Sequence, residues 1–211
     1  TSWAQGGIAC VQEENDSWES HFQDTMAAGK GLCAQEAVKI LVQEGPRYVK
    51  ELIDLGLKFD QDDTGLSLGQ EGAHSNRRIL HVGDTTGREI EKTLGRHVLQ
   101  SDSIQIFECA FAHQLIIQEG RCSGCWVWMD EQWVRFSAQN VILATGGAAQ
   151  GFARNTTPNG ATGDGVYMAY QAGADVTDME FFQYHPTALH LPERGITPLL
   201  ISEAVRGEGA R

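Results

Sequence analysis

VILATGG at 141–147, TGDG at 162–165, EFFQYHPT at 180–187 and SEAVRGEG at 202–209 are the stretch that decides the fold. Val141-Ile142-Leu143-Ala144 is an apolar, β-branched run that meets Thr145-Gly146-Gly147. It reads as a strand ending where glycines let a backbone approach a ligand. Gly163-Asp164-Gly165 then opens a helix from Val166 to Gln171, closed by Gly173. His185-Pro186-Thr187 and Ser202-Glu203 through Gly209 set ionisable side chains beside Pro and Gly, as a binding site needs and a core does not.

Upstream, three helices are expected. The first runs from Asp16 to Gly29, capped by Asp16 or Ser17, with Trp18, Phe22, Thr25 and Met26 on one stripe. The second spans Cys33 to Gln43. Gly45-Pro46 breaks it, and Pro46 starts a third that ends at Leu55-Gly56. Such stripes are core rather than cofactor contacts. Residues 57–83 read as irregular and polar, and long loops of this kind are either functional or disordered. Their centre, EGAHSNRRILH at 71–81, concentrates titratable groups, although composition alone would also fit a solvated surface loop.

A further helix is expected from Thr86 to Leu99, capped by Thr85 or Thr86, with Glu89 as a capping-box partner. Strands follow at Ile104–Phe107, Ala112–Ile117, Cys122–Met129, Gln132–Phe136 and Asn140–Ala144, with turns at Glu119-Gly120 and Asp130-Glu131.

The 211 residues suffice for one sizeable core and part of a second domain. Apolar residues make up 41% and charged residues 21%, the balance of an ordinary globular protein. A net charge of -12 argues against non-specific nucleic-acid binding and requires a local basic pocket for any anionic substrate. No apolar run reaches the length of a membrane span, and no signal peptide is evident. Five cysteines without a framework suggest a reducing compartment. Cys122-x-x-Cys125 lacks a second pair to complete a zinc site. On a regular strand its two thiols would face opposite ways, so no metal site is expected.

The four blocks, with Ala4-Gln5-Gly6-Gly7-Ile8-Ala9 at the start, resemble the flavoprotein family of L-aspartate oxidase, succinate dehydrogenase and fumarate reductase. Order and spacing match over the whole chain. The resemblance implies an α/β fold: a partial FAD-binding Rossmann-like domain with an inserted β-sheet, over residues 1–178, and the start of an α+β capping domain over 179–211. The first G-x-G-x-x-G unit is missing and both termini fall within motifs. The sequence therefore reads as an internal fragment, expected to hold FAD weakly and to be inactive by itself.

The resemblance also assigns roles. FAD would be held non-covalently by Thr1, Ser2, Ala4, Gln5, Gly6 and Gly7 along the isoalloxazine. Phe111 and Ala112 would lie at the adenine, with Thr145, Gly146, Gly147 and Asp164 elsewhere on the cofactor. Read by themselves, residues 1–9 are an ordinary turn, Phe111-Ala112 a strand start, and Asp164 a helix-terminal acid. His185 and Ser202 would bind a substrate carboxylate, with Glu203 in their network; a histidine and a hydroxyl are suitable donors. Arg206 and Glu208 have the simpler reading of an ion pair. The segment at 71–81 resembles the E-G-[GA]-H-S-x-R-R-I-L-H of the L-aspartate oxidases, whose Glu faces the substrate amino group. This makes Glu71 the best discriminator within the family.

The implied activity is oxidation of L-aspartate to iminoaspartate by hydride transfer from C2 to flavin N5. Reoxidation by O2 or fumarate would follow, in the first step of NAD (quinolinate) biosynthesis. The implied setting is cytoplasmic, with quinolinate synthase as a partner and neither membrane nor nucleic acid. Two alternatives remain: a respiratory succinate dehydrogenase or fumarate reductase subunit, and a non-catalytic fragment without flavin. Ala188 after Pro-Thr and Ala204 after Ser-Glu, where respiratory subunits have Gly, favour the oxidase.

Overall fold

The computed structural model describes residues 2–63, 65–185, 187–189, 199–202, 204–207 and 209. The chain divides into two compact units, Thr1–Ile104 with Leu200–Arg211, and Gln105–Leu199. The expected sites at Thr1 and Glu203, and the expected ion-pair member Glu208, lie outside the described residues.

In the first unit, β1 (Ile8–Ala9) is followed by α1 (Trp18–Ala28) and α2 (Gln35–Asp54). Ser17 caps α1, its hydroxyl accepting from the Ser20 backbone N–H at 3.1 Å. The stripe on α1 differs from expectation. His21 is the buried residue, whereas Trp18 is exposed. The expected break at Gly45-Pro46 is also absent, because Pro46 sits inside one continuous α2. Proline removes one i→i−4 bond, but Val38, Val42 and Val49 remain on one buried stripe across it. Burial of each aliphatic side chain stabilises by about 1.5–3 kcal/mol, enough together to outweigh the lost bond.

Residues 57–83 are not simply irregular. They carry β2 (Gln61–Asp62), β3 (Gly65–Leu66), β4 (Leu68–Gly69) and β5 (Ile79–Leu80). β1, β5 and β4 form an antiparallel three-stranded sheet, with Ile8 opposite Leu80 and Gly69 opposite Ile79. Strands of two residues leave no periodicity to read, and β1 pairs with β5 across the whole of α1 and α2, Ile8 with Leu80. Cys10, Val49, Leu57, Phe59 and Leu80 form the core beneath them. α3 (Thr86–Leu99) follows without the expected capping box. Glu89 instead pairs with Lys92, and the Thr86 hydroxyl accepts from the Val82 N–H.

The second unit is built on the meander β6 (Phe111–Gln118), β7 (Arg121–Met129) and β8 (Gln132–Ser137). Both hairpins have two-residue loops with positive φ at each position, 49° and 75° at Glu119-Gly120, 49° and 59° at Asp130-Glu131. That is the twist-matched turn of tight hairpins. Ile104–Phe107 forms no strand; Phe107 instead packs edge-on against Phe136, with ring centroids 4.9 Å apart. Asn140–Ala144 forms no strand either, since no ladder partner stands beside it among the described residues. Ile142 is 89% exposed there.

The two thiols of Cys122-x-x-Cys125 correct a further expectation. Ile117 pairs with Cys122 and Ile116 with Gly124, so Ser123 is an extra residue in β7. This bulge resets the alternation and sets Cys122 on the same face as Cys125, opposite Ile117 and Leu115. After a 3-10 turn at Ala149–Gly151 comes α4 (Asp164–Gln171), which packs on β6. Short elements complete the chain: β9 (Ala188–Leu189), β10 (Leu199–Leu200) and α5 (Ala204–Gly207).

Candidate functional site

The first unit contains a cavity of about 230 Å³. Gln5, Gly6 and Gly7 enter it from the loop before β1, Gln70 and Glu71 from the segment after β4, and His81 from the end of β5. Asp84 and Ser202 complete its polar lining. The small sheet explains this convergence, because it lays these three segments side by side. Gly7 has to be glycine: a Cβ there would overlap the Leu80 carbonyl oxygen. One on Gly6 would stand 3.5 Å from Glu71 Oε1, so the Glu71 carboxylate lies against the Gln5-Gly6-Gly7 loop.

Glu71 starts a turn, its carbonyl accepting from the His74 N–H at 3.0 Å while Gln70 Nε2 donates to the His74 carbonyl at 2.8 Å. From the other side α5 presses on this turn. A Cβ at Gly207 would overlap the Gln70 carbonyl oxygen and come within 3.0 Å of Glu71 Cα. The glycine of the R-G-E-G block therefore makes room for the segment that carries Glu71.

Beneath the turn is a buried ionic cluster. Arg78 is wholly buried. Its Nε and Nη2 donate to the two Asp16 oxygens at 2.8 Å each, and Nη1 donates to Asp24 Oδ2 at 2.6 Å. Nη1 also lies 3.2 Å from His74 Nδ1, which must accept there. Asp24 Oδ2 accepts from both the Ser75 N–H and the Ser75 hydroxyl at 2.8 Å. Burial pushes the Asp16 carboxyl up, but the Arg78 hydrogen bonds, the Ser17 N–H, the Arg78 charge and Asn76 hold it below the usual range. At Asp24 burial is likewise outweighed, by Ser75 and then Arg78. Burial and then the Arg78 charge push His74 down, and burial, Arg78 and His74 push His21 down. The His21 and His74 rings stand 5.6 Å apart.

At the cavity wall His81 is held from behind. Its Nδ1 is 3.0 Å from Asp60 Oδ2, which also accepts from the Gly83 N–H at 2.7 Å. Among the described residues, Gln5 Oε1 and His21 Nδ1 are buried without a partner. Gln5 belongs to the loop expected along the flavin, and its orphaned acceptor suits a planar ligand that presents N–H donors. Together with the glycine-lined approach beside it, the cavity fits an isoalloxazine edge. Ser2 is half-buried, and the Ala4 carbonyl accepts from the Gly87 N–H at 3.0 Å, anchoring this loop to the start of α3.

The second unit holds the remaining expected residues. The Gly147 carbonyl accepts from the Gly163 N–H at 3.1 Å, and a Cβ on Gly165 would overlap the Thr145 hydroxyl. Thr145-Gly146-Gly147 and the start of α4 are therefore interlocked, with Gly163 as N-cap at φ 83°. Asp164 is the first helical residue, and its Oδ2 accepts from the Thr162 hydroxyl. Such a glycine-rich helix start suits an anionic group. Phe111 and Ala112 open β6, opposite Trp128 and Val127. His185 lines a cavity of about 310 Å³ with Phe152, Arg154, Phe182 and Tyr184. Its Nδ1 accepts from the Thr187 N–H at 3.2 Å, so Nε2 carries the proton and can donate.

Glu71 and Ser202 thus share one cavity with Gln5, Gly6 and Gly7, while His185 and Asp164 belong to the other unit. Asp60, Arg78, His81 and Asp84 were not among the expected site residues. His81 and Arg78 lie inside the titratable segment at 71–81, which was signal enough; Asp60 and Asp84 gave none.

A sequence model of the FAD binding domain family matches residues 1–211. The chain is 48% identical over 212 residues to an L-aspartate oxidase of Synechocystis sp., covering 100% of this chain and 38% of that protein. An L-aspartate oxidase of Nostoc sp. is 47% identical over 214 residues, with 100% and 36% covered. Among solved structures, a quinol-fumarate reductase with menaquinol molecules superposes with a TM-score of 0.90 at 34% identity, covering 99% of this chain and 36% of that one. The chain therefore spans well under half the length of the relatives it matches. Among the described residues no helix is long and apolar enough to cross a membrane.

Proposed function

This chain belongs to the FAD-binding flavoprotein family of L-aspartate oxidase, succinate dehydrogenase and fumarate reductase, and from that premise we propose that its site serves the oxidation of L-aspartate to iminoaspartate. The observation that carries the reading is the cavity shared by Glu71, Ser202 and the Gln5-Gly6-Gly7 loop. FAD is the cofactor of the family domain and, when bound, supplies the hydride acceptor.

The chain's own residues then have distinct tasks. Gln5, Gly6 and Gly7 admit the flat ring edge. Ser202 donates to a substrate carboxylate, and Glu71 accepts from the ammonium group that distinguishes aspartate from succinate. His185, with its Nε2–H fixed as a donor, is the second carboxylate ligand, and Glu203 joins the network. Thr1 and Ser2 join the isoalloxazine loop, Phe111 and Ala112 the adenine, and Thr145, Gly146, Gly147 and Asp164 the rest of the cofactor. Residues 1–178 form the FAD-binding part and 179–211 the start of a capping domain. Fumarate or O2 accepts the electrons afterwards, and quinolinate synthase uses the product.

The fumarate reductase reading draws on the structural likeness at a TM-score of 0.90, but identity is 34% there against 48% for the oxidase. Anaerobic mixing of the full-length flavoprotein with L-aspartate tests the choice. Bleaching of the flavin by L-aspartate is expected. Bleaching by succinate with none by L-aspartate would assign the site to the respiratory enzymes.

A further inference from the structure

His81 lines the Glu71 cavity and is backed by Asp60. Asp60 Oδ2 receives the Gly83 N–H at 2.7 Å and faces His81 Nδ1 at 3.0 Å. A carboxylate only accepts, so Nδ1 bears the proton and Nε2 is left with a lone pair. Asp60 thus fixes the tautomer of a neutral imidazole and can compensate the charge of an imidazolium. This is how a carboxylate supports a histidine base. Asp60 faces Nδ1 at 3.0 Å, and Glu71 and Asp84 line the same cavity as His81.

We propose that His81, oriented by Asp60, is the base that takes the proton from the ammonium group of the substrate. The proposal rests on the reading of this cavity as an L-aspartate site. In the step, one N–H bond breaks and its electron pair stays on nitrogen. The proton moves to His81 Nε2, and the imidazolium is balanced by Asp60. The freed nitrogen lone pair would form the C=N bond, with FAD, when bound, supplying the acceptor for the C2 hydride. Glu71 is left as the ammonium's hydrogen-bond acceptor, since an ordinary carboxylate is a far weaker base than an imidazole.

The test uses the full-length flavoenzyme with His81→Asn and Asp60→Asn, assayed for L-aspartate oxidation and for fumarate reduction, which involves no ammonium group. In the wild type, kcat/KM for L-aspartate should fall on acidification as the base becomes protonated. In His81→Asn that acid limb should vanish, and the loss should be at least tenfold greater with L-aspartate than with fumarate. Asp60→Asn, which keeps an acceptor and removes the charge, should reproduce the same bias. A second readout needs no turnover: 15N-histidine spectra of the full-length protein should show His81 as the Nδ1–H tautomer, and Asp60→Asn should weaken that preference. An unchanged acid limb in both variants, equal losses with the two substrates, or an Nε2–H tautomer would overturn the proposal while leaving the aspartate reading intact. A wild-type protein that oxidises succinate and not L-aspartate would overturn both.

Discussion

Arg78 grips Asp16 with two parallel hydrogen bonds of 2.8 Å across 62 positions of sequence, and neither side chain has more than 1% of its surface exposed. The pair fastens the residue before the Ser17 cap of α1 to the segment that carries Glu71. Asp24, about two helical turns further along the chain, repeats the tie with Arg78 and Ser75. A cavity-lining turn without regular secondary structure thus rests on a buried ionic clamp.

Breaking that clamp should cost more than replacing it. Removal of one partner from a buried ion pair leaves an uncompensated charge, worth about 3–5 kcal/mol. Asp16→Asn and Arg78→Met should each destabilise the full-length protein on that scale, whereas the double variant should recover part of the loss. Urea unfolding of the three proteins checks this. Strictly additive losses would show that the two residues stabilise the fold independently.

Acid should loosen the same region in two stages. His21 and His74 have folded-state pKa values below those of the unfolded chain. Their contribution is complete above about pH 6.5 and is lost as pH falls through the lower folded values. Asp16 and Asp24, also lowered, contribute above about pH 4 and lose their share below it. Urea midpoints should therefore decline as pH falls from 7 to 5 and again below 4. His21→Phe, which removes the buried unpartnered Nδ1, should flatten the first decline. A midpoint independent of pH between 7 and 5 would contradict the assignment.

How much of this was legible in the sequence depends on the range of the forces involved. The extents of α1, α3, α4 and the β6–β8 meander could be read because the Ser17 cap, helix-forming composition and two-residue turns are local signals, although the stripe on α1 and the capping box of α3 were not as expected. The Pro46 break was misread because propensity ignores the stripe of Val38, Val42 and Val49 that carries α2 through it. The same locality hid β1, β4 and β5, whose two-residue ladders exist only as a set. Asn140–Ala144 failed in the opposite sense, since its composition suits a strand but no described neighbour pairs with it. At the site, Glu71 was read from its motif, whereas the Asp60–His81 and Asp16–Arg78 contacts join residues 21 and 62 positions apart. No spacing rule reaches that far.

Gly207 should prove as intolerant as a catalytic residue without touching substrate. Alanine there would overlap the Gln70 carbonyl oxygen, and relief requires the Gln70-Glu71 backbone to shift. A displacement on the order of 1 Å at a reacting site can cost up to about a hundredfold. Gly207→Ala in the full-length enzyme should lower kcat/KM for L-aspartate by about ten- to a hundredfold. Wild-type kinetics in this variant would mean that α5 and the Glu71 turn move independently.

Glu71 itself offers the sharpest test of substrate choice. L-aspartate and succinate share two carboxylates and differ by one ammonium group, so a site for aspartate needs an acceptor near that group, preferably an anion. The Glu71 carboxylate lies against Gly6, in the cavity that also holds Ser202. Glu71→Gln keeps the shape, removes the charge and adds an NH2 that can point at the ammonium. Loss of a charge-assisted hydrogen bond costs about 1.5–3 kcal/mol, or roughly ten- to a hundredfold in kcat/KM. Fumarate carries no ammonium, so its reduction should lose far less. Steady-state kinetics with both substrates decide the matter, because equal losses would make Glu71 a structural residue of its turn and remove the main argument for an aspartate site.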